Sequence, residues 1–287
     1  MTTINWNFCQ TNSDIILNTG VELLKESTKT TFDNKHSNKC GNYLISDKEN
    51  KWKYIGEAKN ISKRIKQHSK EKTSTFYKNY IKHNSNTQNI QNKLSINDFH
   101  IRSIQTNIGR KEIEEFGIVN IPANLNRFQK GKRNVYTGKI NINVWKEIQN
   151  NHEILLKQAK QKLLSLENNK WFDADIKSKA GIYWVEHPTK GLIYIGESSN
   201  IFDRYNTHSK TTYFSALRRH IGENILGFKL QTIKNKKRYF KDNEDSNITM
   251  FIQECSFKPF YVNFGRFELE EYLIKTYKPL LNRKDNK

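Results

Sequence analysis

Cysteine is scarce: Cys9, Cys40 and Cys255 are an odd number, widely scattered and without a C-x-x-C pair. A disulfide framework and a cysteine-built zinc site are therefore excluded as the basis of the fold, and reduced thiols are expected. Long hydrophobic runs are missing as well, since no apolar stretch approaches ~18 residues, the length a membrane-spanning helix needs. The opening MTTINWNFCQ lacks the basic, apolar and small-residue order of a signal peptide. With no basic amphipathic helix or lipidation signal either, the expectation is a soluble, cytoplasmic protein with no membrane partner. Acidic residues are in deficit: 29 Asp+Glu face 49 Lys+Arg, a formal charge of +20, and 12% of residues are aromatic. A surface so positive repels itself and is usually tolerated for a polyanionic partner, of which nucleic acid is the leading candidate.

What the sequence does contain is a duplication. GNYLISDKENKWKYIGEAKNISKRIKQHSK from Gly41 and GIYWVEHPTKGLIYIGESSNIFDRYNTHSK from Gly181 align without a gap at a constant offset of 140. They share 12 identities in 30 positions, against about two expected from composition. Gly41/Gly181, Tyr43/Tyr183, Tyr54/Tyr194, Gly56/Gly196, Glu57/Glu197, Arg64/Arg204 and His68/His208 are among them. The repeat is longer than solenoid or propeller periods and marks a duplicated domain. Packing alone would keep hydrophobicity, whereas here two tyrosines, an arginine and a histidine have stayed while the apolar filler drifted.

The 287 residues have room for two domains and connecting structure. Residues 13–30 hold apolar groups at helical spacing behind Ser13 or Asp14, interrupted by Gly20, so residues 1–36 form an N-terminal helical arm. The first repeat occupies 37–130: a strand through Gly41–Ser46, a polar turn, a strand through Trp52–Gly56, a helix opening near Asn60, and a later helix ended at Ile121-Pro122. Residues 131–176 form a basic segment and an amphipathic helix over 144–167, which either sets the distance between two domains or packs on one of them. The second repeat occupies 177–287, and KNKKRYFKDNEDSN from Lys234 is the expected site of a net 16-residue insertion, forming a charged loop.

In each hairpin the two tyrosines fall on adjacent antiparallel strands as close cross-strand neighbours. Gly56 and Gly196 let the backbone leave the strand tightly or let a phosphate approach closely. The next helix carries Arg64 and His68, or Arg204 and His208, at i and i+4 on one face. A guanidinium fork suits a phosphate and an imidazole relays protons near neutral pH.

Both repeats resemble the GIY-YIG nuclease family, with GIY at Gly181–Tyr183, the variant GNY at Gly41–Tyr43, and YIG at Tyr54–Gly56 and Tyr194–Gly196. The resemblance extends to the distal glutamate and asparagine of LEEYLIKTYKPLLN, which align Glu114 with Glu270 and Asn126 with Asn282. The Arg-x-x-x-His spacing is similar to the restriction and homing branches more than to the excision-repair branch. The fold this implies is α+β: two tandem domains, each a small antiparallel sheet flanked by helices, joined by a helical linker. The implied chemistry is DNA phosphodiester hydrolysis with one divalent cation per site, Mg²⁺ or Mn²⁺, held by Glu114 and Glu270. The resemblance makes Tyr43 and Tyr183 general bases, helped to accept a proton by the metal, the arginine and His68 or His208, gives Tyr54 and Tyr194 a part in positioning water, and has Arg64 and Arg204 stabilise the pentacovalent phosphate. Glu112 and Glu115 stand beside Glu114 as alternative carboxylates, and Asn126 and Asn282 either act in catalysis or hold the chain end. Lys234, Lys236, Lys237, Arg238 and Lys241 form a charge run read as a DNA-phosphate contact. A restriction-type enzyme follows as the leading expectation, cutting both strands of duplex DNA with two centres in one chain, as a monomeric pseudodimer or a higher oligomer. A structure-specific repair nuclease and a DNA-binding protein with inactive nuclease folds are the alternatives.

Overall fold

A computed structural model describes residues 4–85, 94–127, 133–210, 212–232 and 238–282. The chain divides into two compact units, Met1–Leu155 and Leu156–Lys287.

The first unit opens with α1 (Trp6–Thr11), capped by Asn5, whose carboxamide oxygen accepts from the Phe8 N–H at 2.9 Å. After α2 (Ser13–Glu26) come β1 (Gly41–Asp47), β2 (Lys53–Ala58), α3 (Ile61–His68), α4 (Thr75–Ser85), β3 (Phe99–Gln105), α5 (Arg110–Asn120) and α6 (Ile142–Asn150). The sheet is antiparallel in the order β2-β1-β3, so the strand carrying Tyr43 is central and paired on both sides. Ile45, Ile101, Phe76, Phe99, Tyr80 and Leu125 gather in one buried cluster with Tyr43.

Two expectations for this part of the chain are corrected. The N-terminal arm is packed on the first unit: α2 buries Ile16, Leu17, Val21 and Leu24 and lies against β1, β3 and α5, and Thr30 exchanges two 2.8 Å backbone hydrogen bonds with Ile101. Gly20 does not interrupt α2, and a side chain there would run into the Trp145 ring of α6, so glycine is what lets the two helices approach. The single helix expected over 144–167 is two helices, α6 and α7 (His152–Leu164), with Asn151 between them at φ −100° and ψ 17°. Asn150 and Asn151 are poor helix formers that readily take a terminal position. Gln149 of α6 fastens the segment before α5, accepting from the N–H groups of Asn107 at 2.6 Å and Ile108 at 3.1 Å, so this piece of the expected linker belongs to the first unit.

The second unit repeats the pattern with additions: β4 (Asn169–Lys170), β5 (Gly181–His187), β6 (Gly191–Ser198), α8 (Ile201–Lys210), α9 (Ala216–Asn224), β7 (Gln231–Thr232), β8 (Arg238–Tyr239), α10 (Asp242–Glu254), β9 (Ser256–Tyr261) and α11 (Arg266–Tyr277). Its main sheet runs β4-β9-β5-β6, and β7 pairs with β8. Val185 faces Phe257 as Ile45 faces Ile101, so the offset is 140 on β5 and already 156 on β9, and the extra 156 − 140 = 16 residues enter before β9.

From Arg238 onward, the described part of that segment is not the charged loop expected of it. Arg238 and Tyr239 form a strand, and α10 follows at once. The charges are a helix start: Asp242, Glu244 and Asp245 crowd the first turn, where the macrodipole favours acid, and the Glu244 carboxylate accepts from the Lys241 N–H at 3.0 Å. Ile248, Phe251 and Ile252 then supply a buried apolar stripe at helical spacing.

Candidate active site

The strand register sets the tyrosines. Tyr43 faces Gly56 and Tyr183 faces Gly196, with Tyr54 and Tyr194 two residues along, opposite Ile45 and Val185. The two phenols of each unit are thus diagonal neighbours, with ring centroids 6.4 Å apart in the first unit and 6.0 Å in the second. A methyl group on Gly56 or Gly196 would overlap the phenol of Tyr43 or Tyr183. The group that approaches these glycines so closely is the tyrosine itself, not a phosphate, and the glycines exist to let it lie flat across the strand.

The following helix brings up the imidazole. Asn60 caps α3 by accepting from the Lys63 N–H at 2.8 Å, which fixes where the helix starts and so where Arg64 and His68 project. His68 Nε2 lies 2.9 Å from the Tyr43 hydroxyl, and His208 Nε2 lies 3.0 Å from that of Tyr183. Beyond each ring waits a serine the sequence comparison missed: Ser74 Oγ at 3.4 Å from His68 Nδ1, and Ser215 Oγ at 2.7 Å from His208 Nδ1. Each unit therefore holds a Tyr–His–Ser row. One neutral tautomer of the imidazole accepts at Nε2 from the phenol and donates from Nδ1 to the serine; the other reverses both bonds.

Burial decides the resting protonation. His68 is pushed down to about 3, by burial first and then by Arg64, and His208 is held well below its ordinary value by burial and then by Arg204, Arg218 and Arg219. Both imidazoles are neutral at pH 7. Tyr43 and Tyr183 are raised well above the usual phenol value by burial, with the neighbouring phenol adding to it and Arg64 or Arg204 opposing. Tyr194 is pushed up to about 12 by burial and then by the Glu270 charge, and Tyr54 is raised by burial and then by Glu114. Arg64 donates from Nε to the Tyr43 oxygen at 3.3 Å, whereas Arg204 donates to the backbone carbonyl of Phe214 at 3.5 Å.

Glu114 on α5 and Glu270 on α11 both act electrostatically on the two phenols of their unit. Of the other two glutamates at this helix start in the first unit, Glu115 is buried with Arg133 at 3.8 Å, and Glu112 is buried in the first turn. Glu270 accepts from the Glu197 N–H at 3.0 Å, which ties α11 to β6. Lys111 donates to Glu114 at 2.6 Å. A second pair unnoticed in the sequence joins the same elements: Arg110 to Glu57 at 3.8 Å and Arg266 to Glu197 at 2.8 Å. Its glutamates are among the shared identities, and its arginines lie at the offset of 156 already marked by Glu114 and Glu270, which is the signal that leads to them.

Asn126 and Asn282 do not reach the phenols. Each carboxamide is spent on one backbone: Asn126 accepts from the Ile55 N–H at 2.9 Å and donates to the Ile55 carbonyl at 2.8 Å, and Asn282 does the same to Ile195 at 2.9 and 2.7 Å. These bonds tie the Tyr-Ile-Gly strand of each unit to the segment that follows α5 or α11. Of the charge run, Lys234, Lys236 and Lys237 lie outside the described residues, while Arg238 on β8 and Lys241 before α10 are exposed. Arg238 acts on Arg219, which burial and this like charge together hold below its ordinary value.

Two family models match the chain, both described as the GIY-YIG catalytic domain, one over residues 39–114 and the other over 167–287. No curated protein and no solved structure matches it. A small antiparallel sheet with the phenols on its central hairpin, repeated in tandem, is the architecture of a nuclease. The chain belongs to the GIY-YIG nuclease family and carries two of its catalytic domains. It is accordingly a hydrolase of phosphodiester bonds whose implied substrate is DNA. Among the described residues no helix is long and apolar enough to cross a membrane.

Proposed function

We propose that the protein is a restriction-type endonuclease in which each tandem domain hydrolyses one strand of duplex DNA. The observation that carries this reading is the twofold occurrence of one constellation: the phenol–imidazole contact at 2.9 and 3.0 Å, with a guanidinium-bearing residue one helical turn before each histidine and a glutamate acting on both phenols. A domain that had drifted into a purely structural part would have no reason to keep a buried neutral histidine, which costs stability in acid.

In each centre the water that attacks phosphorus gives its proton to the Tyr43 or Tyr183 oxygen as the phenol passes its own to the neutral Nε2 beyond it. The serine orients the ring from Nδ1. Depressed basicity keeps the imidazole unprotonated before substrate arrives, and the negative phosphate raises that basicity when it does. Arg64 and Arg204 face the charge that builds on the phosphorane.

Glu114 and Glu270 would hold the divalent cation. The fit rests on the donor chemistry: among the described residues no three His, Cys, Asp or Glu side chains cluster as a metal site, so a cation would take one carboxylate per centre. That suits Mg²⁺, which keeps several waters and completes its shell with phosphate oxygens, and Mn²⁺ in its place. When bound, the cation supplies Lewis-acid stabilisation of the phosphoryl oxygens.

The test is cleavage of supercoiled plasmid by Glu270→Gln and Glu114→Gln separately. Each variant is expected to give nicked circles, and linearisation at the wild-type rate by either would reject the division of labour. Discrete bands from phage and plasmid DNA support the restriction assignment; cutting of flaps and junctions alone overturns it.

A further inference from the structure

The two centres differ in charge at one position one helical turn before the glutamate. In the first, Lys111 Nζ donates to Glu114 Oε2 at 2.6 Å across one turn of α5, with the side chains only 19% and 13% exposed. In the second, at the same offset of 156 that relates Glu114 to Glu270, the residue is Phe267 on α11, which has no ammonium to offer. The flanking residues match on both sides, GR-x-E-x-EE in each copy, so the substitution stands inside an otherwise repeated helix start.

We propose that Lys111 gates the first centre: its ammonium occupies the carboxylate oxygen that a divalent cation needs, so that centre takes up metal less readily than it would with a neutral residue at 111. The inference rests on the reading of Glu114 and Glu270 as the metal carriers. Physically, a charge-assisted hydrogen bond this short and this sheltered from water is among the stronger side-chain contacts, and an ammonium already on the carboxylate repels a second cation and competes for its lone pairs. The four-carbon stem of lysine lets the ammonium swing away without moving the helix, which makes the contact a reversible block and not a permanent one. The duplicated helix serves as an internal reference, because fold, strand register and phenol geometry are common to both units.

The experiment is Mn²⁺ uptake by the full chain, followed through loss of the free-ion electron paramagnetic resonance signal, for wild type, Lys111→Met, Lys111→Arg and the two glutamine variants. Lys111→Met keeps the apolar stem and removes the charge; it is expected to bind Mn²⁺ at the first centre about tenfold more tightly, a change on the scale of one charged contact. Lys111→Arg keeps a cation beside the carboxylate and should bind as wild type does. The gain must vanish when Glu114→Gln is added to Lys111→Met. Unchanged or weaker binding by Lys111→Met, with Glu270→Gln still removing one equivalent, overturns the gate while leaving the metal reading intact. If neither Glu114→Gln nor Glu270→Gln changes Mn²⁺ uptake, the glutamates are not the carriers and the gate falls with them.

Discussion

The phenol of Tyr43 occupies the space that a side chain on Gly56 would need, and Tyr183 stands in the same relation to Gly196. The third residue of one motif is thus a glycine because of the third residue of the other. Gly56→Ala is expected to push the Tyr43 oxygen off its 2.9 Å contact with His68. A displacement of even ~1 Å at a reacting group costs on the order of 100-fold in rate. Steady-state kinetics on Gly56→Ala in a Glu270→Gln background isolates the first centre, and a fall in kcat without a matching rise in KM is the expected outcome.

Asn282 makes two hydrogen bonds to the backbone of Ile195, and Asn126 makes two to that of Ile55. Alanine at either position strands a buried N–H and a buried carbonyl, at a cost of about 2–4 kcal/mol. Asn282→Ala should lower the thermal midpoint by several degrees. Well below that midpoint the variant should retain most of its nicking activity, since no carboxamide reaches the phenols. A variant of wild-type stability and no activity would return the asparagine to the chemistry.

Identity at a constant offset made the tyrosines, the arginines and the histidines legible, because chemistry fixes residue type where packing fixes only polarity. Ser74 and Ser215 escaped for a physical reason: they fall past the ungapped block, and their spacing of 141 reflects one residue gained in the loop after the histidine. Arg110 and Arg266 were hidden by the 16-residue insertion, which breaks the first alignment before it reaches them. The start of α10 is illegible as helix because acidic residues in a first turn look, in composition, like a solvated segment. Gly20 was read as a break on propensity alone, and only the Trp145 ring across from it explains why the helix continues.

Stability in acid should report on the two histidines. Folding holds His68 down near 3, and His208 well below its ordinary value, so between pH 6.5 and about 3 the unfolded chain binds more protons than the folded one. Their contribution is fully present above pH 6.5 and is lost as the pH falls toward the folded values. Each histidine steepens the loss by up to about 1.4 kcal/mol per pH unit. Urea unfolding at pH 7, 6, 5 and 4 should show a shallower decline for His68→Gln than for wild type, and parallel declines would refute the neutral buried imidazole.

Arg218 is specific to the second unit and joins three of its helices. Its side chain, 1% exposed, pairs with Asp245 of α10 at 2.9 Å, donates to Thr249 Oγ1 at 2.9 Å and reaches the His208 carbonyl at 3.3 Å. Tyr77 stands in its place in the first unit: each donates its backbone N–H to the serine behind the histidine, Tyr77 to Ser74 at 3.3 Å and Arg218 to Ser215 at 3.0 Å. The inserted helix is therefore tied to the backbone of His208 by a cation whose place in the first unit is taken by Tyr77. Arg218→Met leaves Asp245 with the Thr212 hydroxyl but without its counter-ion; since that carboxylate is 32% exposed, the cost falls at the lower end of the range for broken buried pairs, about 3 kcal/mol. The damage should be confined to one centre. Nicking by Arg218→Met in a Glu114→Gln background, which depends on the second centre, is expected to collapse at temperatures the parent tolerates, while the same change in a Glu270→Gln background leaves nicking in place. Equal loss in both backgrounds would mean that α10 supports the whole chain and not the second centre in particular.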